Sequence, residues 1–172
     1  TRHATAKGAG TCVGHPVPSI ELEVIGIDDG PIGRWSDDLV LPQGSTGEIV
    51  VKGKQVTHEY FNADEHNRLG KIADGDTVRH RMGDLGYLDD RGRLWFCGRK
   101  SQRVVTGERT YFTDPCEGIF DSHPDVYRSA LVAAEVDGET VPVICIEAEP
   151  GIGVGDHVRI RDELLELGGG EE

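Results

Sequence analysis

The segment GDLGYLDDRGRLWFCGR at 83–99 constrains the fold more than any other part of the chain. Two runs of strand-forming residues flank DDRG, whose Asp, Arg and Gly are typical of a tight turn, so the segment predicts a β-hairpin. With the turn centred on DDRG, Asp84 is expected opposite Cys97, and Arg99 two residues beyond. Paired Cα atoms lie about 5 Å apart and diagonal ones about 7 Å. The carboxylate and the guanidinium can therefore reach one ligand.

The chemistry of this pair suits a nucleotide. The carboxylate of Asp84 can accept two hydrogen bonds from a sugar diol, and the guanidinium of Arg99 can donate to ribose or phosphate oxygens. A surface ion pair at the base of a hairpin, stabilising the fold by less than about 1 kcal/mol, explains the same two residues. The spacing alone leaves both interpretations open.

Charge and cysteine spacing exclude several classes of function. The 172 residues carry a net charge of −13, whereas nucleic-acid binding depends on clustered Lys and Arg, so no nucleic-acid partner is expected. The four cysteines are far apart and form no C-x-x-C pair, so neither a zinc site nor a disulfide framework is predicted. No apolar run is long enough to span a membrane. We expect a cytoplasmic protein with no metal ligands in this segment.

Strand and loop patterns predict an α+β fold. Alternating apolar residues in VPSIELEVIGI and the run TGEIVVKG at 46–53 indicate two strands, and the Gly-, Pro- and Asp-rich stretch 28–46 indicates a long surface excursion between them. Beyond Lys100, VYRSALVAA and ETVPVICIEA are typical of strands and GDHVRIRDELLEL of an amphipathic helix. The composition changes near Arg99 and Lys100, which predicts a domain boundary there.

Two helix starts carry capping signals. The segment NADEHNRL predicts a short helix with Asn62 as its N-cap. Further along, Asp114 is a candidate N-cap, Pro115 stands at the first helical position, and Glu117 follows the cap by three residues, as in a capping box.

Four short motifs in a fixed order resemble the adenylate-forming superfamily of acyl-CoA synthetases, luciferases and peptide-synthetase adenylation domains. The motifs are TGEI at 46–49, YFN at 60–62, the hairpin with GRK at 83–100, and HPDV at 123–126. Each motif is unspecific alone, but the four in register are specific, and the order covers nearly all of 14–147. One branch of the superfamily, which forms β-lactones in bacterial long-chain olefin biosynthesis, is resembled in particular. The resemblance lies in the sequence of the hairpin, in FTDPCEGIFDSHPDVYR and in the excursion after Ile27.

The resemblance implies two domain parts. Residues 1–99 look like the last β-rich subdomain, a distorted barrel, of a large N-terminal adenylating domain. Residues 100–172 look like the beginning of a small α+β C-terminal domain that swings between two half-reactions. The segment as given is then expected to be part of a longer enzyme.

The resemblance also implies residue roles. Asp84 matches the aspartate that holds the ribose hydroxyls, and Arg99 matches the neighbouring arginine that contacts the nucleotide. Lys100 and Ser101 fall at the hinge, and Glu117 matches the glutamate at the first helix of the small domain. Ser101 stands where the superfamily usually has Asp or Lys.

Several superfamily motifs have no counterpart in this sequence. Met82 replaces the usual threonine before Gly83. No Ser-, Thr- and Gly-rich phosphate loop is present, nor the aromatic-Gly-x-Thr-Glu stretch for adenine and Mg²⁺, nor the late catalytic lysine. The resemblance therefore implies that the catalytic residues and Mg²⁺ ligands lie outside this segment, which we expect to be inactive by itself.

The expected function is ATP-dependent activation of a fatty or β-hydroxy fatty acid as an acyl-adenylate, followed by β-lactone formation and release of AMP. An ordinary AMP-forming acyl-CoA ligase, with CoA as acceptor, is the first alternative. A non-catalytic nucleotide-binding or interaction module is the second. The expected partners are ATP with Mg²⁺, the acid substrate, and other enzymes of the same pathway in a complex.

Overall fold

The computed structural model describes residues 1–107 and 109–169, with the side chain of Val154 excepted. The chain divides into two compact units, Cys12–Ser101 and a second unit made of Thr1–Thr11 with the described residues from Gln102 onward. The predicted α+β class is confirmed: a curled, half-barrel sheet is combined with few helices.

The helices and strands follow one another in a mixed order. They are α1 (Arg2–Thr5), β1 (Thr11–Gly14), β2 (Ile20–Ile25), β3 (Gly47–Gly53), α2 (Asp64–Gly70), β4 (Lys71–Asp74), β5 (Thr77–Leu88), β6 (Leu94–Arg99), β7 (Val104–Val105), β8 (Thr110–Tyr111), α3 (Thr113–Phe120), β9 (Val126–Val136), β10 (Glu139–Ala148) and α4 (His157–Gly168). Short 3₁₀ turns lie at Asp37–Leu39 and Lys100–Gln102. The strands and the amphipathic helix predicted from periodicity are confirmed.

The first unit is built on one six-stranded sheet. Its order is β1-β6-β5-β3-β2, and β4 also pairs with β5. Strand β5 has twelve residues and is the longest strand of this sheet. It pairs with β3 along one edge and with β4 and then β6 along the other. The strand that carries Asp84 is thus held on both sides.

The excursion at 28–46 covers the apolar face of this sheet. Ile25, Val50 and Ile72 are fully buried, and Trp35 and Leu39 of the excursion pack against them together with Ile32. The indole of Trp35 also stacks on the guanidinium of Arg79, with 4.0 Å between the arginine Cζ and the ring centroid. As predicted, the excursion forms no strand of its own, and its apolar residues close the core.

The second unit pairs a β-hairpin with two helices. Strands β9 and β10 are antiparallel, and Asp137 and Gly138 between them both have positive φ, as a two-residue hairpin turn requires. Val126 on β9 packs against Ile160 and Leu164 of α4. None of the helices in the described part of the chain is long and apolar enough to cross a bilayer.

Both capping predictions are wrong. Asn62 takes a left-handed conformation with φ 49°, and Ala63 occupies the N-cap of α2 without a side-chain cap. Phe112 is the N-cap of α3, so Asp114 lies inside the first turn and accepts a hydrogen bond from the Thr11 hydroxyl at 3.0 Å. The Asp114 side chain thus bonds a residue that is distant in the sequence and does not cap its helix. The local pattern of capping residues carries no information about such distant partners.

A buried ion pair lies inside the first unit. Glu48 on β3 and Arg81 on β5 each have side chains only 1 % exposed, and Nη2 of Arg81 lies 2.6 Å from Oε2 of Glu48. The remaining donors of Arg81 bond the backbone carbonyls of Asp28, Gly30 and Leu69. One guanidinium therefore joins β3, β5, the start of the excursion and the end of α2.

We predict that Glu48→Ala destabilises the first unit by about 3–5 kcal/mol, because removing one member of a buried pair leaves the other charge uncompensated. Both tryptophans of the chain, Trp35 and Trp95, lie in this unit, so urea denaturation followed by tryptophan fluorescence measures the effect. Glu59→Ala, at an exposed glutamate, is the control. A Glu48→Ala midpoint equal to that of the control would contradict the prediction.

Candidate nucleotide site

Asp84 lies where two irregularities of the sheet meet. Between the pairs Glu48–Leu85 and Val50–Arg81, strand β3 has one residue and β5 has three, so β5 bulges at 82–84. On the other edge the register of β6 shifts between Leu85 and Gly86 of β5, because an extra residue is inserted in β6. Bulges redirect side chains and are frequent next to active sites.

The extra residue in β6 corrects the predicted hairpin register. Cys97 was expected opposite Asp84, but it is the inserted residue, and Asp84 pairs directly with Arg99 across the two strands. The arms of the hairpin are as predicted, and only the count between them is wrong. In the observed register, Asp84 and Arg99 are direct cross-strand neighbours, so they lie closer than the diagonal neighbours expected for a regular ladder.

Glycines with positive φ precede both charged residues. Gly83, before Asp84, has φ 67°, and Gly98, before Arg99, has φ 116°. Residues with a Cβ rarely adopt these conformations. The backbone conformation before Asp84 and before Arg99 therefore favours glycine, which accounts for the Gly-Asp and Gly-Arg pairs in the sequence.

The two side chains form an asymmetric ion pair. Oδ1 of Asp84 lies 2.9 Å from Nη1 of Arg99, and the aspartate side chain is 18 % exposed whereas that of the arginine is 58 % exposed. Oδ1 is buried, and apart from this ion-pair contact it has no hydrogen-bond partner in the described part of the chain. Hydrogen-bonding capacity of the carboxylate is thus left for a ligand.

Burial raises the pKa of the Asp84 carboxyl, and the charge and contact of Arg99 oppose this effect. Desolvation is the larger cause, so burial makes ionisation of this carboxyl less favourable. Groups with raised pKa values in a partly open position are candidates for ligand binding.

A third charge extends the buried pair towards the site. Nζ of Lys100 donates to the same Oε2 of Glu48 at 3.0 Å and to the backbone carbonyl of Asp28 at 3.0 Å. Neither Glu48 nor Arg81 is a candidate site residue from the sequence motifs. The sequence signal for this pair is a lone acidic residue in an apolar strand, together with a second strand that has arginines two residues apart at 79 and 81.

The turn of the hairpin has its own set of hydrogen bonds, separate from the Asp84–Arg99 pair at the other end. The carboxylate of Asp89 accepts hydrogen bonds from the backbone amides of Arg91 and Arg93, from Nε of Arg93, and from the indole of Trp95. These donors hold the pKa of Asp89 well below its usual range, against the effect of burial. These bonds close the turn without involving Asp84 or Arg99.

Glu117 lies in the second unit and contacts a strand. It is the fifth residue of α3, and its Oε1 accepts a hydrogen bond from the backbone amide of Leu131 on β9 at 2.9 Å. The side chain therefore links α3 to β9 and does not cap its own helix. Its correspondence to the superfamily glutamate stays a prediction.

One His/Asp/Glu group among the described residues has a separation compatible with metal binding. His123, Asp125 and Glu163 bring one ligand atom each within 4.8 Å of the others. However, Arg159 donates to both carboxylates, at 2.7 and 2.8 Å, and Nε2 of His123 contacts Glu163 at 2.9 Å. The arginine already supplies the positive charge that a cation would bring.

Comparison with known proteins identifies relatives of this chain. The olefin β-lactone synthetase of Xanthomonas campestris pv. campestris is 46 % identical over 173 residues, which cover 98 % of this chain. The olefin β-lactone synthetase of Stenotrophomonas maltophilia is 49 % identical over 152 residues, or 86 % of the chain. The chain belongs to the adenylate-forming superfamily. No family profile matches it.

Solved structures of this superfamily share the fold. ATP-bound MatB from Rhodopseudomonas palustris superposes with a TM-score of 0.75 at 25 % identity, over 94 % of this chain and 29 % of that one. The O-succinylbenzoate-CoA synthetase of Bacillus subtilis, in complex with ATP and magnesium, gives 0.66 at 28 % identity, over 88 % and 29 % of the two chains. The chain likewise spans only 31 % and 28 % of the two β-lactone synthetases.

We predict that Asp84→Asn stabilises the first unit relative to the wild type as pH rises. Because the folded-state pKa of Asp84 is raised above its ordinary value of 3.8, the folded protein binds the proton more tightly and loses stability as the carboxyl ionises. The asparagine keeps the shape without the charge.

Urea midpoints of the two proteins at pH 3 and pH 7 measure this effect. The advantage of Asp84→Asn is expected to be larger at pH 7, with Asp90→Asn at the exposed turn as the control for loss of a carboxylate. If the urea midpoint of the wild type instead rises relative to that of Asp84→Asn between pH 3 and pH 7, the effect of Arg99 on the Asp84 pKa outweighs that of burial, and the prediction is wrong.

Proposed function

We propose that this chain supplies the ribose-holding part of an enzyme that converts a β-hydroxy fatty acid to a β-lactone at the expense of ATP. The observation that carries the proposal is the Asp84 carboxylate, held at two bulges with an unsatisfied oxygen and faced by the exposed guanidinium of Arg99. The 46–49 % identity to olefin β-lactone synthetases supports the choice of substrate and product.

The proposed reaction has two balanced steps. The carboxylate of the acid attacks the α-phosphorus of ATP, and pyrophosphate leaves to give an acyl-adenylate. The 3-hydroxyl then attacks the acyl carbonyl, loses its proton and closes the four-membered ring, and AMP leaves with the bonding electrons. Asp84 accepts hydrogen bonds from the two ribose hydroxyls, and Arg99 donates to a ribose or phosphate oxygen.

The residues at this site do not form a magnesium site. Mg²⁺ requires an octahedral shell of oxygen ligands, whereas the Arg99 guanidinium places a positive charge 2.9 Å from the Asp84 carboxylate and so disfavours a cation there. Its ligands are therefore proposed to lie in other parts of the full-length enzyme, and no step here is assigned to it.

The wider assignments are part of the same proposal. Residues 1–99 would complete a large adenylating domain, and 100–172 would begin a small domain that pivots at Lys100 and Ser101. Glu117 would lie at the start of that small domain. A cytoplasmic location and a complex with other enzymes of the pathway are proposed on the same basis.

An acyl-CoA ligase is the second candidate. The 2-succinylbenzoate–CoA ligases of Bacillus mycoides and Bacillus cereus strain Q1 are 31 % and 35 % identical over 75 % and 59 % of this chain. Their lower identity and shorter match favour lactone formation. A purely nucleotide-binding module without catalysis would share the Asp84–Arg99 pair but form neither product.

We predict that the full-length protein forms a β-lactone and AMP from a 2-alkyl-3-hydroxy fatty acid and ATP, at a rate independent of CoA. Product analysis by mass spectrometry, with and without CoA, distinguishes the candidates. A CoA thioester as the main product would favour the ligase, and absence of AMP release would favour the binding module.

We predict that Asp84→Ala weakens ATP binding by about 1.5–3 kcal/mol, the contribution of hydrogen bonds to a charged group. The KM for the acid should change little, because the carboxylate contacts the ribose. Steady-state kinetics of the full-length enzyme measure both constants, with Asp90→Ala as a matched surface control. An unchanged KM for ATP together with an unchanged kcat would overturn the assignment of Asp84.

A further inference from the structure

Arg99 is held in place unequally on its two sides. On its N-terminal side stands Gly98 at φ 116°, after the residue that breaks the β5–β6 register. On its C-terminal side β6 ends, and the 3₁₀ turn Lys100–Gln102 begins. The ladder alone therefore does not fix a side chain that is itself 58 % exposed.

Lys100 is anchored much more firmly than its neighbour. Its side chain is 19 % exposed, and its ammonium contacts Oε2 of Glu48 and the carbonyl oxygen of Asp28, both at 3.0 Å. The Glu48 oxygen also accepts from Nε of Arg81 at 3.1 Å and from Nη2 at 2.6 Å. Three donors thus converge on one buried carboxylate oxygen.

Lys100 is not needed to neutralise Glu48. The guanidinium of Arg81 already pairs with that carboxylate by two hydrogen bonds. The burial cost of a second cation is reduced when acceptors face its donors, and the Lys100 ammonium has the two acceptors named above. The anchored ammonium therefore has an effect beyond charge balance, which is to fix the backbone at the end of β6.

We propose that Lys100 is a positioning residue that holds Arg99 against Asp84 and thereby sets the affinity for the nucleotide. The proposal rests on the proposed function of the Asp84–Arg99 pair. Arg99 and Lys100 are consecutive, with one side chain in the ion pair to Asp84 and the other in the buried contact to Glu48. It also changes the interpretation of Lys100, since a residue fixed within the first unit places the pivot after it, at Ser101.

The test uses Lys100→Met in the full-length enzyme, because methionine keeps the length of the aliphatic chain and removes the donors. The KM for ATP is expected to rise about five- to tenfold, a magnitude typical of coupled neighbours, while the KM for the acid stays within twofold. Lys100→Arg retains a cation that can reach both acceptors and should restore most of the affinity. Lys54→Met, at an exposed lysine, is the control.

A second pair of variants decides whether Lys100 acts through Arg99. In an Arg99→Ala background, Lys100→Met should have no further effect on the KM for ATP. An equal loss in both backgrounds, or no loss in either, would overturn the proposal. If Lys100→Met does not fold, Lys100→Gln, which keeps a donor for the Asp28 carbonyl, replaces it in the same cycle.

The proposed function has a separate readout in the same experiments. Asp84→Ala reports on the nucleotide site itself, independently of Lys100. If Asp84→Ala raises the KM for ATP and Lys100→Met does not, the site stands and the positioning role is wrong. If Lys100→Met raises this KM and Asp84→Ala does not, the ribose assignment fails and so does the positioning of Arg99 against Asp84.

Discussion

The buried contact between Glu48 and Arg81 is the interaction on which the first unit depends. A carboxylate that is 1 % exposed is stable in a sheet only when it is paired, and its partner also gathers three backbone carbonyls from the excursion and from the end of α2. Because Lys100 joins the same oxygen, the network extends from the core to the residue after Arg99. Folding of the core and placement of the candidate site are thus connected by one set of charges.

The site itself is built from departures from regular sheet structure. The strand ladder is interrupted by bulges on both sides of Asp84, and glycines with positive φ precede both charged residues. Some backbone pairing is lost at these positions. That loss is tolerated because β5 is paired along both edges and the hairpin tip is closed by Asp89. A carboxylate that burial makes costly to ionise then lies beside an exposed guanidinium, and its buried oxygen is available to a ligand.

The sequence predicted the elements better than it predicted their partners. The arms of the hairpin and strands β9 and β10 follow from alternation and turn residues, since those signals are local. The register at Asp84 does not, because Cys97 is an inserted residue that looks like any other strand residue until the partner strand is known. Glu117 and Asp114 similarly suggested a cap, whereas their bonds go to Leu131 and Thr11, which no local pattern specifies.

We propose that Asp84 and Arg99, with Arg99 positioned through the Glu48 network, hold the ribose of the nucleotide. A crystal structure of the full-length protein with AMP is the decisive test. We expect both ribose hydroxyls within about 3 Å of the Asp84 carboxylate, Arg99 on a ribose or phosphate oxygen, and Lys100 still bound to Glu48. A nucleotide bound away from Asp84, or a Lys100 released from Glu48 with Arg99 unmoved, would contradict it.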